Sequence, residues 1–445
     1  MSTWLKSWEP ENLVFWNSTG KAIAWRTLTI TTISLTLSFA TWFMVSALVT
    51  RLDGIGFNFT SNQLFWLAAL PGLAGGTLRI IHTFLIPIFG TRHVITVSTF
   101  IKLIPVIGFA FAVMDPNTPF WVFVVLALTA GFGGGDFSSY MPSTNLFFPA
   151  RLKGAALGIQ AGIGNFGVSL AQFMTPVMLG VGLYGAPQVF SKKNAAGEVV
   201  QSEIFLQSTS LWYAPLLIIV GVLCWIMLKS VPIKSTFKDQ LGIFKDKHTW
   251  YCTVIYFMTF GTFAGLSAAF PLLLKSVYGP FDPSLDPLKY AFYGPLIGSA
   301  ARVGFGFVAD KTGGAVLTTI SGIGLLICTL VIIFLNLLEP SSIEQLDMFI
   351  TLMLLLFFFT GIGNASTFKQ FPIIFKHNAL HASGVIGWTA AIGAYGPFIF
   401  SLAISAFIGA TGYASGFFQI LAIFLVIATG INWYFYHRKG AEKPC

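Results

Sequence analysis

The sequence predicts an all-α polytopic membrane protein with twelve transmembrane helices in two pseudo-symmetric six-helix halves. Three observations predict it. Of 445 residues, 55% are hydrophobic and 9% charged, where a soluble domain carries about 25% charged residues. Apolar runs long enough to cross a bilayer, about 20 residues, recur along the whole chain. Three segments of the first half return in the second, in the same order and at nearly one offset.

The runs lie at about 27–50, 63–89, 92–114, 119–145, 154–180, 208–231, 248–275, 289–310, 313–338, 346–375, 382–408 and 412–436, read at the ~20-residue spanning length. Gly and Pro interrupt several, which neighbouring helices make tolerable. The long polar connection "KSVPIKSTFKDQLGIFKDK" falls midway. It divides the chain into an N-terminal half (1–228), a linker (229–247) and a C-terminal half (248–445). The first 26 residues are polar and tryptophan-rich, so no cleavable signal peptide is expected.

The net charge of +9 invites a nucleic-acid reading, but the positions of the charges exclude it. With the N-terminus on the cytoplasmic side, sixteen of the 25 Lys and Arg fall inside and five outside. Four remain within helices: Arg79, Lys102, Arg302 and Lys369. This bias places both termini in the cytoplasm. Cys224, Cys252, Cys328 and Cys445 are scattered, without the spacing of a zinc site or a disulfide framework. No metal and no cofactor is called for.

"GGTLRIIHTFLIPIFGTR" carries Arg79 and "GSAARVGFGFVADKTGG" carries Arg302, 223 residues later. In each, a proline precedes the arginine by seven or eight residues and a glycine, Gly90 or Gly313, follows by eleven. "AGFGGGDFSS" matches "TGIGNASTFK" through Gly131 and Gly361, at offset 230. "AGIGNFGVS" matches "AAIGAYGPF" through Gly164 and Gly393, at offset 229. Paired segments at half the chain length are the mark of a duplicated transporter.

A charge at bilayer depth costs at least ~2.5 kcal/mol. Arg79 and Arg302 sit too far inside their runs to reach water easily. As repeat partners they face one central cavity, and no acid nearby in sequence neutralises them. An anion completes such a site. Guanidinium forks two donors toward a flat oxyanion, which lysine does not. The competing reading buries each arginine against backbone carbonyls.

The glycine stretches serve first as helix-packing surfaces, and they bring Asn165 near the arginines. "GFVADKTGG" closes the eighth run. Its Asp310, Lys311, Gly313 and Gly314 form a candidate gating turn, which resembles the loop signature of the major facilitator superfamily. In the first-half copy Pro87 replaces the aspartate and only Gly90 and Arg92 remain.

With these motifs in view, the chain resembles the nitrate/nitrite porter (NarK-type) family of that superfamily. "FWNSTGKAIAWR", "GFNFTSNQLFWLAALP", "GIQAGIGNFGVSLAQ" and "GWTAAIGAYGPF" carry the resemblance over nearly the whole chain. It implies a nitrate held between Arg79 and Arg302, with Asn165 donating a hydrogen bond. It also implies aromatic walls from Phe39, Phe137, Tyr256, Phe260 and Phe368. Ala390 stands where relatives often carry serine, which removes one polar contact.

Asp136 and Lys369 fill nearly equivalent places in the fourth and tenth runs, where relatives can be neutral. They are expected to form an intramembrane ion pair or to serve as a proton-linked switch; His82 is a second titratable candidate. Two couplings follow: exchange of nitrate for nitrite, which needs no titrating group, and nitrate:proton symport, which does. The implied protein is a monomeric porter in a bacterial-type inner (plasma) membrane. A porter for another small anion is a more remote reading. Nothing in the motifs suggests an enzyme, a channel or a sensor.

Overall fold

The computed structural model describes residues 4–194, 198–232, 242–376 and 379–445. Residues 233–241, the centre of the linker, lie outside that set. The first pass is Lys21–Leu48. The second and third share one helical element, Ser61–Ile101, which Leu103–Ala112 extends. The fourth is Phe120–Gly135 continued by Phe137–Phe147, the fifth Ala150–Met178 and the sixth Tyr213–Met227. The seventh is Lys247–Tyr256 and Thr262–Tyr278, joined by a π-helical turn at Phe257–Gly261. The eighth is Tyr293–Thr312, the ninth Gly314–Phe334 and the tenth Leu346–Ile374. The eleventh is Ala379–Gly393 with Gly396–Thr411, and the twelfth Ser415–Asn432.

Among the described residues, ten helical stretches have the length and hydropathy to cross a membrane. The fifth and eighth passes complete the twelve; they carry Arg151 and Lys153, and Arg302, Asp310 and Lys311.

Local chemistry sets the helix limits. Thr60 and Gln63 open the second pass with a capping box: each side chain accepts from the other's backbone N–H, which satisfies two otherwise orphaned groups. Gly90 (φ 78°) ends it, and Gly313 (φ 88°) ends the eighth. Only glycine adopts such an angle without strain. The two lie 223 residues apart, the offset of the arginines.

The other repeat pairs are equivalent in packing too. A Cβ at Gly131 would lie 2.4 Å from Ala74 Cβ, and one at Gly361 would lie 2.2 Å from the Gly298 carbonyl. Each glycine thus lets the fourth or tenth pass press on the second or eighth. Gly164 meets Leu35 of the first pass, and Gly393 meets Tyr256 and Phe260 of the seventh.

The first and seventh passes form the centre: 89% and 94% of their most apolar stretches are buried. The sixth and twelfth are peripheral, at 33% and 39%. Between halves, the second pass packs on the eleventh and the fifth on the eighth, again a symmetric arrangement.

Trp4 lies against Ser230 and Gly90, and Cys445 against Gly313, so both ends of the described chain share one face. The opposite face carries what the helical reading omitted. An antiparallel hairpin, β1 (Gln188–Lys193) with β2 (Val199–Ile204), joins the fifth and sixth passes. Lys192 donates to the carbonyls of Ser284 (2.6 Å) and Leu285 (3.3 Å) in the other half. Two ion pairs cross nearby: Arg51 with Asp286 at 2.6 Å, and Lys275 with Asp53 at 2.8 Å. They are reciprocal, since the cation ending the first pass meets an acid after the seventh, and the cation ending the seventh meets an acid after the first.

Candidate functional site

Arg79 is fully buried. Its Nε donates to the Gly134 carbonyl and one terminal nitrogen to the Ala390 carbonyl, both at 2.7 Å. The other terminal nitrogen is buried without a hydrogen bond among the described residues. Arg302 is 5% exposed. Neither of its terminal nitrogens makes a hydrogen bond of normal geometry among the described residues; the Tyr256 hydroxyl is its polar neighbour. No carboxylate among those residues lies within ion-pair distance of either guanidinium. The carbonyl-anchored reading thus holds for Arg79, on two of its three nitrogens, while Arg302 presents open donors.

The five aromatic residues singled out from the sequence gather here. The Arg79 guanidinium carbon lies 4.9 Å from the centre of Phe137, 5.1 Å from Phe260 and 6.0 Å from Phe39. Arg302 lies 4.9 Å from Phe368. Phe137 and Phe260 come from opposite halves and stack 6.3 Å apart, 22° from parallel. A point equidistant from both at about 5 Å lies beside that slot, so Arg79 sits at its rim. Tyr256 stacks on Phe260 at 5.5 Å and meets Phe368 edge-on at 5.8 Å. The π-turn that contains Phe260 directly follows Tyr256; π-turns recur at functional positions in helices.

Asn165 is fully buried, and neither amide atom is bonded among the described residues. It lies one turn from Gly162, which presses on Val303 next to Arg302. Three residues escaped the sequence reading. Trp42 lies 5.3 Å from the Arg79 guanidinium and donates to the Pro71 carbonyl. Asn364 is fully buried with both amide atoms unbonded among the described residues, one turn from Phe368; its signal was a lone amide inside an apolar run. Lys102 was visible as an intramembrane cation but had no repeat partner to give it meaning.

Lys102 corrects the expected Asp136–Lys369 pair. Asp136 is fully buried and its carboxylate binds the Lys102 ammonium at 2.5 Å. It also accepts from Ser38 at 2.5 Å and from Ser98. Lys102 lies on the neighbouring third pass, whereas Lys369 belongs to the other half and is half-buried. His82 lies 3.9 Å from Asp136 and meets the Ser139 hydroxyl at 3.1 Å. At the gating turn, Lys311 is exposed and the Asp310 side chain lies outside the described residues. A Cβ at Gly314 would lie 2.7 Å from the Ser366 carbonyl, so that position admits only glycine without a shift.

Known proteins bear on this arrangement. Residues 27–397 match the model of the Major Facilitator Superfamily. The chain is 53% identical to a Thermus thermophilus protein named "Probable nitrate/nitrite antiporter NarK2", over 100% of this chain and 98% of that one. It is 35% identical to the "Nitrate/nitrite transporter NarU" of Escherichia coli, over 99% and 97%. Among solved structures, a bacterial homologue of the lysosomal transporter Spinster, inward-facing and unoccupied, superposes with a TM-score of 0.63 at 16% identity, over 93% of this chain and 97% of that one.

Proposed function

The chain belongs to the nitrate/nitrite porter family of the Major Facilitator Superfamily, and from that premise we propose that it carries nitrate and nitrite across a membrane by alternating access, exchanging one for the other. The observation that carries this reading is the pair of buried arginines, one from each half, with three terminal nitrogens unbonded among the described residues. Arg79 lies beside two rings 6.3 Å apart, near the ~7 Å that two van der Waals contacts of ~3.5 Å to one flat ion take up, and Arg302 lies against Phe368. A small planar oxyanion suits that slot, and a tetrahedral anion is too thick for it.

In this mechanism the anion lies between Phe137 and Phe260, takes donors from Arg79 and Arg302, and is met by the Asn165 amide. It screens the two guanidiniums from each other, so the halves close around it and reopen on the other side. An empty site leaves the like charges facing, and closure then awaits a returning anion. Exchange is favoured over proton symport because Asp136, the carboxylate near the site among the described residues, is already matched by Lys102, Ser38 and Ser98. The positive-inside bias supports an orientation with both termini cytoplasmic and the latched hairpin face outward, in an inner membrane on this reading. One chain holds a whole site, so a monomer suffices.

The test is nitrate uptake into proteoliposomes of the purified protein, empty or loaded with nitrite, with and without an inward proton gradient. Uptake that needs internal nitrite and ignores the gradient supports exchange. Gradient-driven uptake into empty vesicles replaces exchange with symport. No nitrate movement under any condition removes the nitrate reading.

A further inference from the structure

The Arg79 side of the site rests on a weak piece of helix. Residues 131–135 of the fourth pass read "GFGGG", and each glycine costs a helix ~1 kcal/mol relative to alanine. These glycines bring the fourth pass onto Ala74, Trp42 and Ser38, but they offer no side chain to fix its rotation or height. Asp136 joins Phe120–Gly135 to Phe137–Phe147 with helical angles (φ −56°, ψ −34°) and no side-chain cap. Yet this stretch supplies two of the contacts that orient Arg79: the Gly134 carbonyl at 2.7 Å and the Phe137 ring at 4.9 Å.

Asp136 stands between those two residues. Its carboxylate reaches Ser38 on the first pass, next to Phe39, which also packs on Arg79. It reaches Ser98 and Lys102 on the third. His82, 3.9 Å away, is on the second pass, three residues beyond Arg79. Four passes of one half therefore converge on one fully buried carboxylate, and two rings that touch Arg79, Phe39 and Phe137, adjoin Ser38 and Asp136.

We infer that the buried Lys102–Asp136 pair is a positioning element for substrate binding: it fixes the glycine-rich turn of the fourth pass so that Gly134 and Phe137 hold Arg79 at the rim of the slot. Neither residue touches the anion. The pair acts through Arg79, and its loss lets the guanidinium drift while its charge remains. The inference rests on the nitrate reading only for the identity of the anion.

The experiment compares Asp136→Asn, Lys102→Met and the double variant with the unaltered chain and with Tyr140→Phe. Tyr140 is a buried polar neighbour on the same pass, bonded to Ser34 at 2.9 Å, outside the Arg79 contacts. Removing one partner of a buried pair strands a charge; the double variant strands none and covers the case where a single variant fails to fold. Two readouts are taken: nitrate KM against maximal exchange rate, and the Arg79 geometry from a cryo-electron microscopy structure of the double variant. The expected result is a nitrate KM raised about tenfold or more, the scale of one misplaced charge-assisted bond, with maximal rate changed far less. Tyr140→Phe leaves KM unchanged, and Arg79 loses its Gly134 bond in the variant structure. An unchanged KM in the folded double variant, or an Arg79 still bonded to Gly134, overturns the proposal. The structural readout does not depend on which anion is carried, so a failure of the nitrate reading shows instead as no exchange by the unaltered chain.

Discussion

Arg79 donates to the carbonyl of Ala390 at 2.7 Å, so a charged side chain of the second pass is fastened to the backbone of the eleventh. This bond joins the two halves at the site itself. Rocking of one half on the other must stretch it, and an anion that takes over the guanidinium donors releases Ala390. On the proposed reading, substrate recognition and the coupling of the halves are thereby the same event.

The two arginines are held differently, and substitution by lysine separates their roles. Arg79→Lys keeps the charge but loses the forked bonds to Gly134 and Ala390. Arg302→Lys has no such bonds to lose among the described residues. Each charge-assisted bond is worth ~1.5–3 kcal/mol, so nitrite-driven nitrate uptake falls about 10- to 100-fold in both. Thermal unfolding in detergent distinguishes them: Arg79→Lys unfolds at lower temperature, and Arg302→Lys near the wild-type value. Near-normal uptake in both would remove the arginine clamp.

The reciprocal pairs on the hairpin face predict a conformational latch. Asp53→Asn with Asp286→Asn removes both Lys275–Asp53 and Arg51–Asp286. At ~1 kcal/mol each, their loss shifts the balance toward opening on that face by about thirtyfold. Spin labels on the two sides of that face, read by pulsed dipolar spectroscopy, report it as a longer distance. Exchanging the charges, Arg51→Asp with Asp286→Arg, restores the short distance if the attraction is what closes the face. Unchanged distances in the double asparagine variant would mean that the hairpin strap alone suffices.

The sequence carried the frame of the molecule well because membrane helices announce themselves locally. Each apolar run reports its own pass, and duplication lets Arg79 locate Arg302 and Gly131 locate Gly361 without a structure. Composition also marked the candidate site, since a guanidinium in an apolar run has few reasons to be there. What stayed hidden depends on rotation and distance between helices. Lys102 and Asp136 are 34 residues apart on different passes, and only the turn each presents to the other makes them a pair. Repeat logic sent Asp136 toward Lys369 instead, because it matches equivalent positions and says nothing about which of them touch. The hairpin was illegible for another reason: its two strands mix polar and apolar residues without a clear alternation, and Lys192 ties it to the opposite half.

Glycines in the packing seams differ sharply in what they tolerate. A Cβ at Gly133 would lie 2.2 Å from the Ser38 carbonyl, and one at Gly167 would lie 2.0 Å from the Thr36 carbonyl. Backbone cannot swing aside as a side chain does, so Gly133→Ala and Gly167→Ala force the first pass outward and destabilise by ~1–3 kcal/mol. Gly158 has nothing within 4 Å, and alanine there gains up to ~1 kcal/mol of helix propensity. Thermal unfolding should rank Gly158→Ala at or above wild type and the other two below it. The opposite order would mean that the seam between the first, fourth and fifth passes is looser than its contacts indicate.

The amides of Asn165 and Asn364, unbonded among the described residues, predict a trade between stability and binding. A buried polar group without a partner costs ~1–3 kcal/mol, and leucine of similar shape removes that cost. In the absence of substrate, Asn165→Leu and Asn364→Leu therefore unfold at higher temperature than the unaltered chain. Nitrate should reverse the order at Asn165. Binding raises the unfolding temperature of the native protein, and the raise shrinks where a donor to the anion is gone. Asn364 lies one turn from Phe368, whose ring covers Arg302, and the same measurement decides its part. A leucine there that gains stability and keeps the full nitrate response makes Asn364 a cavity-lining amide. One that gains stability and loses the response makes it a second donor, opposite Asn165 in the C-terminal half.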